Sequence, residues 1–315
     1  MGGSSGEVPG AYPQHRAAMG ANGSKPRSGV PPADETGRVG DLATDTELER
    51  VDEHRFRVSL SRDWEIWGPM GGYVAAVALR AAGAESPFAR PASFFCQYLG
   101  VAAFEPVEVT VSVQRQARTA LAQRAEMTQG GRPILSALVW SVADVDGLEH
   151  HVTTAPAVPP PDELQPFETL LPDEEPPFPF WNNVESRPVE FSPVWPPEGP
   201  LPPVWQTWTR LRPTSTFDDR WLDAARSVIL VDVQGWPAAH HHHAWRDPPF
   251  IAPSIDLYVA FHEPAPHEPW LLADGHAPVA DDGLIGWTGR LWSSAGRLVA
   301  SGGGQLLCRR VDGAR

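Results

Sequence analysis

Polar and apolar residues alternate from Val51 to Leu60, a period of two that predicts a strand. Past Trp64 to Pro69 the pattern changes. Met70-Gly71-Gly72-Tyr73 opens an Ala-rich run to about Ala82 in which nearly every position is apolar. That pattern predicts a helix buried on most sides, with side chains small enough for a sheet to wrap closely around it. Alternation returns over residues 92–99, 107–116, 120–129 and 132–143, and Gly130-Gly131 is a hairpin signal between the last two segments. The first half therefore reads strand, helix, antiparallel meander.

Residues 153–180 carry prolines and acids with little alternation, the composition of a linker. Beyond it the same order recurs. Strands are predicted over 184–191 and 204–211, then a helix over 217–234. Thr216 and Asp219 stand in capping-box spacing at its start, and Gly235 and Pro237 stop it. Further strands fall near 253–261, 270–277, 284–292 and 297–309. Gly131-Arg132-Pro133-Ile134-Leu135-Ser136 matches Gly296-Arg297-Leu298-Val299-Ala300-Ser301, and Ser93 to Pro106 matches Ser254 to Pro264 in pattern. A repeat this long means two copies of one supersecondary unit. Each is a long helix against an antiparallel sheet, which is α+β architecture.

Residues 1–43 are rich in Gly, Ser, Pro and Ala without periodicity and predict a disordered tail. The expected division is tail 1–43, first unit 44–152, linker 153–180, second unit 181–315. Gly2-Gly3-Ser4-Ser5-Gly6 has the form of a nucleophile elbow, but that motif needs a strand before it and a helix after it. A disordered start supplies neither.

Charge narrows the function. Lys and Arg number 25 against 39 Asp and Glu, for a formal net charge of −14. No basic stripe stands out, which argues against nucleic acid. No run of about 18 apolar residues and no charged start before an apolar core is present, so no membrane span and no export are expected. Cys96 and Cys308 lie far apart within predicted strands and read as reduced thiols. The expected location is the cytoplasm.

Asp232 is the most informative residue. It lies in Val-Ile-Leu-Val-Asp-Val, on one face of the second helix with Trp221, Ala225 and Val228. Near a helix C-terminus the dipole also disfavours a negative charge. A carboxylate buried there is expensive unless paired or shifted in pKa. One reading is a local pair with an arginine, a loop amide or the backbone of the His240–His243 segment; the other is a carboxylate that polarises water. Strand alternation places Ser254, Asp256 and Tyr258 on one face, which makes Asp256 a rival acid. Gln305 follows Gly302-Gly303-Gly304 in an otherwise apolar strand, where it would cross-link strands or hold a water.

Gly68-Pro69-Met70-Gly71-Gly72-Tyr73 before an Ala-rich helix resembles the helix entry of hotdog thioesterases. Ser93-Phe94-Phe95, Tyr98-Leu99, Pro106 and Gly131 to Ile134 resemble the first half of the bacterial acyl-CoA thioesterase II (TesB-like) family. Ser254-Ile255-Asp256, Phe261 to Pro264, Trp270 to Leu272, Gly296 to Ser301 and Gln305 resemble its second half, in order. The resemblance spans residues 45–310 apart from the linker. It implies a double hotdog that hydrolyses acyl-CoA by water attack, with no cofactor and no metal. Asp232, Ser254 and Gln305 would hold the water, and the backbone N–H groups of Gly71 and Gly72 at the first helix N-terminus would face the oxyanion.

Three departures stand out. The hydroxyl residue is Ser rather than Thr, the glycine run before Gln305 is one residue longer than usual, and Leu306 replaces an acid. A slip of one residue would turn Gln305 to the other face. The alternative is a hotdog protein that binds acyl-CoA or another hydrophobic ligand without turnover. A hydratase needs a His paired with an Asp or Glu, commonly in D-x-N-x-x-H spacing, and Asp232 is followed by no such arrangement. No Gly-Gly opens the second helix, which suggests one site per chain.

Trp64, Trp67, Trp140, Trp236 and Trp287 are candidates for core or for an acyl tunnel. His240–His243 reads as a surface loop, since four consecutive histidines cannot all turn to one ion. His262 to His267 has the wrong spacing and two prolines for a zincin helix. Exposed sheet edges would allow a homo-oligomer.

Overall fold

A computed structural model describes residues 39–170, 176–192, 194, 196–244 and 250–310. The Gly2–Gly6 motif and most of the expected tail lie outside these residues. The described chain starts ahead of the predicted boundary. Gly40 donates to Asn183 Oδ1 at 2.7 Å, and helix α1 (Leu42–Asp45) follows, capped by Asp41.

The predicted first strand is a hairpin, β1 (Glu49–Asp52) and β2 (Arg55–Ser59), turned at His54 with φ 61°. Helix α2 (Gly71–Ala84) follows as expected, buried from Gly72 to Ala82 apart from the half-buried Arg80, with Ala84 exposed at its end. The meander is β3 (Arg90–Tyr98), β4 (Pro106–Gln116), β5 (Ala120–Gln129) and β6 (Arg132–Val142). The linker is more ordered than its composition suggests. It carries the short helix α3 (Phe167–Leu170), and Ala155, Val158 and Leu164 pack on Trp208, Leu272 and Trp292. Prolines without alternation exclude strands there, but they do not prevent packing.

The second half comprises β7 (Val184–Pro188), β8 (Val204–Leu211), α4 (Arg220–Asp232), α5 (Gly235–His243), β9 (Phe250–Ile251), β10 (Asp256–Phe261), β11 (Leu271–Asp281), β12 (Leu284–Trp292), β13 (Leu298–Leu307) and β14 (Arg309–Arg310). The N-cap of α4 is Asp219, which accepts from Trp221 N at 2.8 Å and Leu222 N at 3.4 Å; Thr216 lies ahead of the cap. Gly235 and Pro237 do not end the helical path. The chain bends there and resumes as α5, with Pro237 in the first turn, where a missing N–H costs nothing. His240–His243 therefore lie on a helix, not in a loop.

One 12-stranded sheet unites both halves, in the order β1-β2-β4-β5-β6-β3-β10-β13-β12-β11-β8-β7. The halves join where β3 pairs antiparallel with β10, Cys96 opposite Leu257. Helices α2 and α4 pack antiparallel under the sheet. A Cβ on Gly72 would come within 2.9 Å of Ile229 Cα, so glycine sets the closeness of this crossing. The N-terminus of α2 thereby meets the C-terminus of α4, and this junction carries the candidate site.

Candidate active site

Asp232 is the last residue of α4 and is 9% exposed. It pairs with no arginine among the described residues. Its Oδ2 accepts from the Gly72 amide at 2.7 Å, and its Oδ1 accepts from Ser254 Oγ at 3.0 Å. Burial pushes its carboxyl up to about 6 from an ordinary 3.8, while the Ser254 and Gly72 hydrogen bonds pull it partway back. A buried carboxylate poised near neutrality, with its proton acceptor oxygens aligned by two donors, suits general-base work.

Ser254 reaches this carboxylate because the strand is irregular before β10. Tyr258 pairs with Gly303 but Ser254 bridges Leu306, so four steps on one chain oppose three on the other. The extra residue is a bulge. It takes Ser254 off the face of Asp256 and Tyr258, where plain alternation had put it, and turns it toward α4. Asp256 stays on the sheet's outer face, its Oδ1 accepting from the Gln305 amide at 2.8 Å. It is no rival to Asp232.

Gln305 does not join the site. In β13 it sits opposite Gly286, between the inward residues Ile285 and Trp287 of β12, and its side chain is exposed; the next residue, Leu306, is 2% exposed and takes the inward position. The long glycine run has put Gln305 on the wrong parity of the strand. The expected trio thus reduces to Asp232 and Ser254.

Gly72 is also recast. Its amide is committed to the Asp232 carboxylate and is not a free donor. The Gly71 amide, at the first position of α2, donates to no acceptor among the described residues. Helix geometry leaves such a group without an internal partner.

The residue that sequence reading missed is Tyr98, at the end of β3. Its hydroxyl is sealed from solvent and has no hydrogen-bond partner among the described residues. A Cβ on Gly71 would stand 3.2 Å from both this hydroxyl and Asp232 Oδ2. The usable signal was its place on the same strand face as buried Cys96, at the strand end nearest Gly71.

The tryptophans divide. Trp64 is fully buried core, stacked on Tyr73 at 5.2 Å. Trp287 is buried beneath the start of α5, and Trp140 is 41% exposed on the outer face. Trp67 and Trp236, one from each half, meet edge to face at 5.8 Å beside the Asp232 end of the helices. Among the described residues, no cluster of His, Cys, Asp and Glu is arranged to hold a metal.

Residues 155–305 match the acyl-CoA thioesterase C-terminal domain family, and residues 60–142 match the acyl-CoA thioesterase N-terminal domain family. Human acyl-coenzyme A thioesterase 8 is 27% identical over 284 residues, which cover 82% of this chain and 86% of that protein. A hot dog fold protein from Alicyclobacillus acidocaldarius superposes with a TM-score of 0.72 at 20% identity, covering 86% of this chain and 98% of that one. An acyl-CoA thioesterase II from Mycobacterium marinum superposes with a TM-score of 0.70 at 24% identity, covering 87% and 100%. The fold is a double hotdog.

Proposed function

The chain belongs to the acyl-CoA thioesterase family, and from that premise we propose that it hydrolyses acyl-CoA with Asp232 as the base that activates water. The observation that carries this is the buried carboxylate at the meeting of the two helices, held by Gly72 and Ser254 and raised to about 6. At neutral pH it is mostly ionised and ready to accept a proton. As water attacks the thioester carbonyl, Asp232 takes its proton; collapse of the intermediate expels the thiolate, which is protonated in turn. Acid and free coenzyme A result, with no covalent enzyme intermediate.

Ser254 fixes one carboxylate oxygen, and the Gly72 amide fixes the other. The cytoplasm is the setting we assign. Both cysteines are free thiols, and no helix among the described residues is long and apolar enough to cross a membrane. Any homo-oligomer would use the open edge strand β1, all four of whose residues are exposed.

The outward Gln305 favours a second reading, a hotdog protein that binds acyl-CoA without turnover. Thiol release from a panel of acyl-CoAs of increasing chain length, measured on the full chain and on Asp232→Asn, separates the two. Turnover that falls by about 10²-fold or more in the variant supports the base. Saturable binding with no thiol release from any member supports the non-catalytic protein.

A further inference from the structure

With the Gly72 amide bonded to Asp232, the negative charge that develops on the thioester oxygen needs other donors. Two groups at the same helix junction have protons to give. One is the Gly71 amide, at the dipole-positive end of α2. The other is the Tyr98 hydroxyl, which is buried and unpartnered among the described residues. Both the hydroxyl and Asp232 Oδ2 lie 3.2 Å from the point where a Cβ on Gly71 would stand. The phenol and the base are therefore separated by at most twice that distance, close enough to address one small group between them.

Around the hydroxyl stand the charges of Asp232 and, more weakly, Asp256, and the Cys96 thiol, whose sulfur is a weak acceptor for it and no substitute for an oxygen partner. Burial, with the Asp232 charge adding to it, holds the phenol's proton on well above the ordinary tyrosine range. The group is thus a donor at every working pH. A buried hydroxyl without a partner destabilises a fold, and such a group in a native protein calls for an explanation.

We propose that Tyr98 is a catalytic residue whose hydroxyl, together with the Gly71 amide, donates to the carbonyl oxygen of the scissile thioester. The proposal rests on Asp232 being the base. Water oxygen bonds to the carbonyl carbon while one water proton passes to Asp232. The carbonyl π pair becomes an oxyanion held by the Tyr98 O–H and the Gly71 N–H. When the intermediate collapses, the C–S bond breaks and the proton on Asp232 passes to the departing sulfur. Tyr98 keeps its proton throughout. Glycine at 71 has the matching role: any side chain there would press on both the phenol and the carboxylate.

Tyr98→Phe removes only the hydroxyl. The expected result is a fall in kcat of about 10²-fold, as for loss of one oxyanion donor, with KM changed by less than about 3-fold. The acidic limb of the pH profile, set by Asp232, stays in place. The melting temperature is unchanged or higher, because an unpaired buried hydroxyl has gone. Near-parental kcat in Tyr98→Phe alongside an inactive Asp232→Asn overturns the role of Tyr98 and leaves the base standing. Full activity in both variants removes the base as well. A clear drop in melting temperature of Tyr98→Phe reveals a structural partner for the hydroxyl and also overturns the proposal.

Discussion

Trp221 packs against Gly83, its ring 2.5 Å from where a Cβ on that glycine would stand, at the end of the helix pair opposite Gly72 and Asp232. Exchanging the two antiparallel helices puts Trp221 in the place of Gly72 and Gly83 in the place of Asp232. The second end of the pair therefore has Trp221 where a helix-opening glycine would stand and Gly83 where Asp232 would stand, and its buried acid, Asp223 in the first turn of α4, is paired with Arg226. An indole fills that end, its Nε1 donating to the Phe88 carbonyl at 3.2 Å. Duplicated units here have diverged into one chemical end and one packed end, which argues for a single site per chain. Trp221→Ala should behave as a large-to-small core change, costing about 3–5 kcal/mol in denaturant unfolding. It should add no second titrating base to the pH profile of thiol release.

With Asp232 as the proposed base, activity and stability should depend on the same proton. Its carboxyl titrates at about 6 in the folded chain and at 3.8 when unfolded. Below pH about 4 both states carry the neutral acid and the site costs nothing. Between 4 and 6 the unfolded chain ionises first, so stability falls as pH rises, by about 3 kcal/mol in all once past 6. Thiol release should follow the opposite course, rising through pH about 6 with unit slope. Asp232→Asn should abolish activity yet unfold at higher denaturant than the parent at pH 8, with the difference vanishing near pH 4. A variant less stable at pH 8 would contradict the buried-charge account.

Ser254 supplies one of the two hydrogen bonds that favour the ionised carboxylate. Ser254→Ala removes it, so the acidic limb should move to higher pH, and kcat at pH 7 should fall by about 10-fold, the scale of one hydrogen bond to a charged group. Ser254→Thr keeps the hydroxyl and should stay near the parent. Rate measurements from pH 5 to 8 on the three proteins distinguish a shifted limb from a uniform loss.

Much of the fold was legible because burial imposes period. The Ala-rich run predicted α2 closely, and the alternating segments predicted the meander strands within a residue or two. The repeat between Gly131–Ser136 and Gly296–Ser301 foretold two like units. It did not foretell that β3 and β10 would fuse them into one sheet, since strand pairing across halves leaves no local trace. The second helix was read as ending at Gly235-Trp236-Pro237, yet proline is harmless in a first helical turn, and α5 begins there. In the site, Asp232 stood out because a lone acid among aliphatics is costly. Tyr98 did not, because an aromatic at the end of a strand looks like core until its hydroxyl is found unpaired. Gly72 lies at the same helix junction as Asp232, with a partner the sequence did not indicate. Its amide meets the acid from the other half, a contact 160 positions away.

Gln305 tests strand parity most directly. The pairing of Gln305 with Gly286 and of Leu306 with Ile285 sets alternate faces, and the inward face belongs to Ile285, Trp287 and Leu306. A glutamine on the outward face cannot reach Asp232 without a one-residue slip of β13, which would also swing Leu306 into solvent and forfeit its buried area. Gln305→Ala should therefore leave kcat and KM within about 2-fold of the parent, as surface changes away from a site do. Leu306→Ala, by contrast, should lose about 2–4 kcal/mol of stability. A collapse of kcat in Gln305→Ala with unchanged stability would mean that β13 pairs in the other register during turnover. The water would then be held by Asp232, Ser254 and Gln305 together.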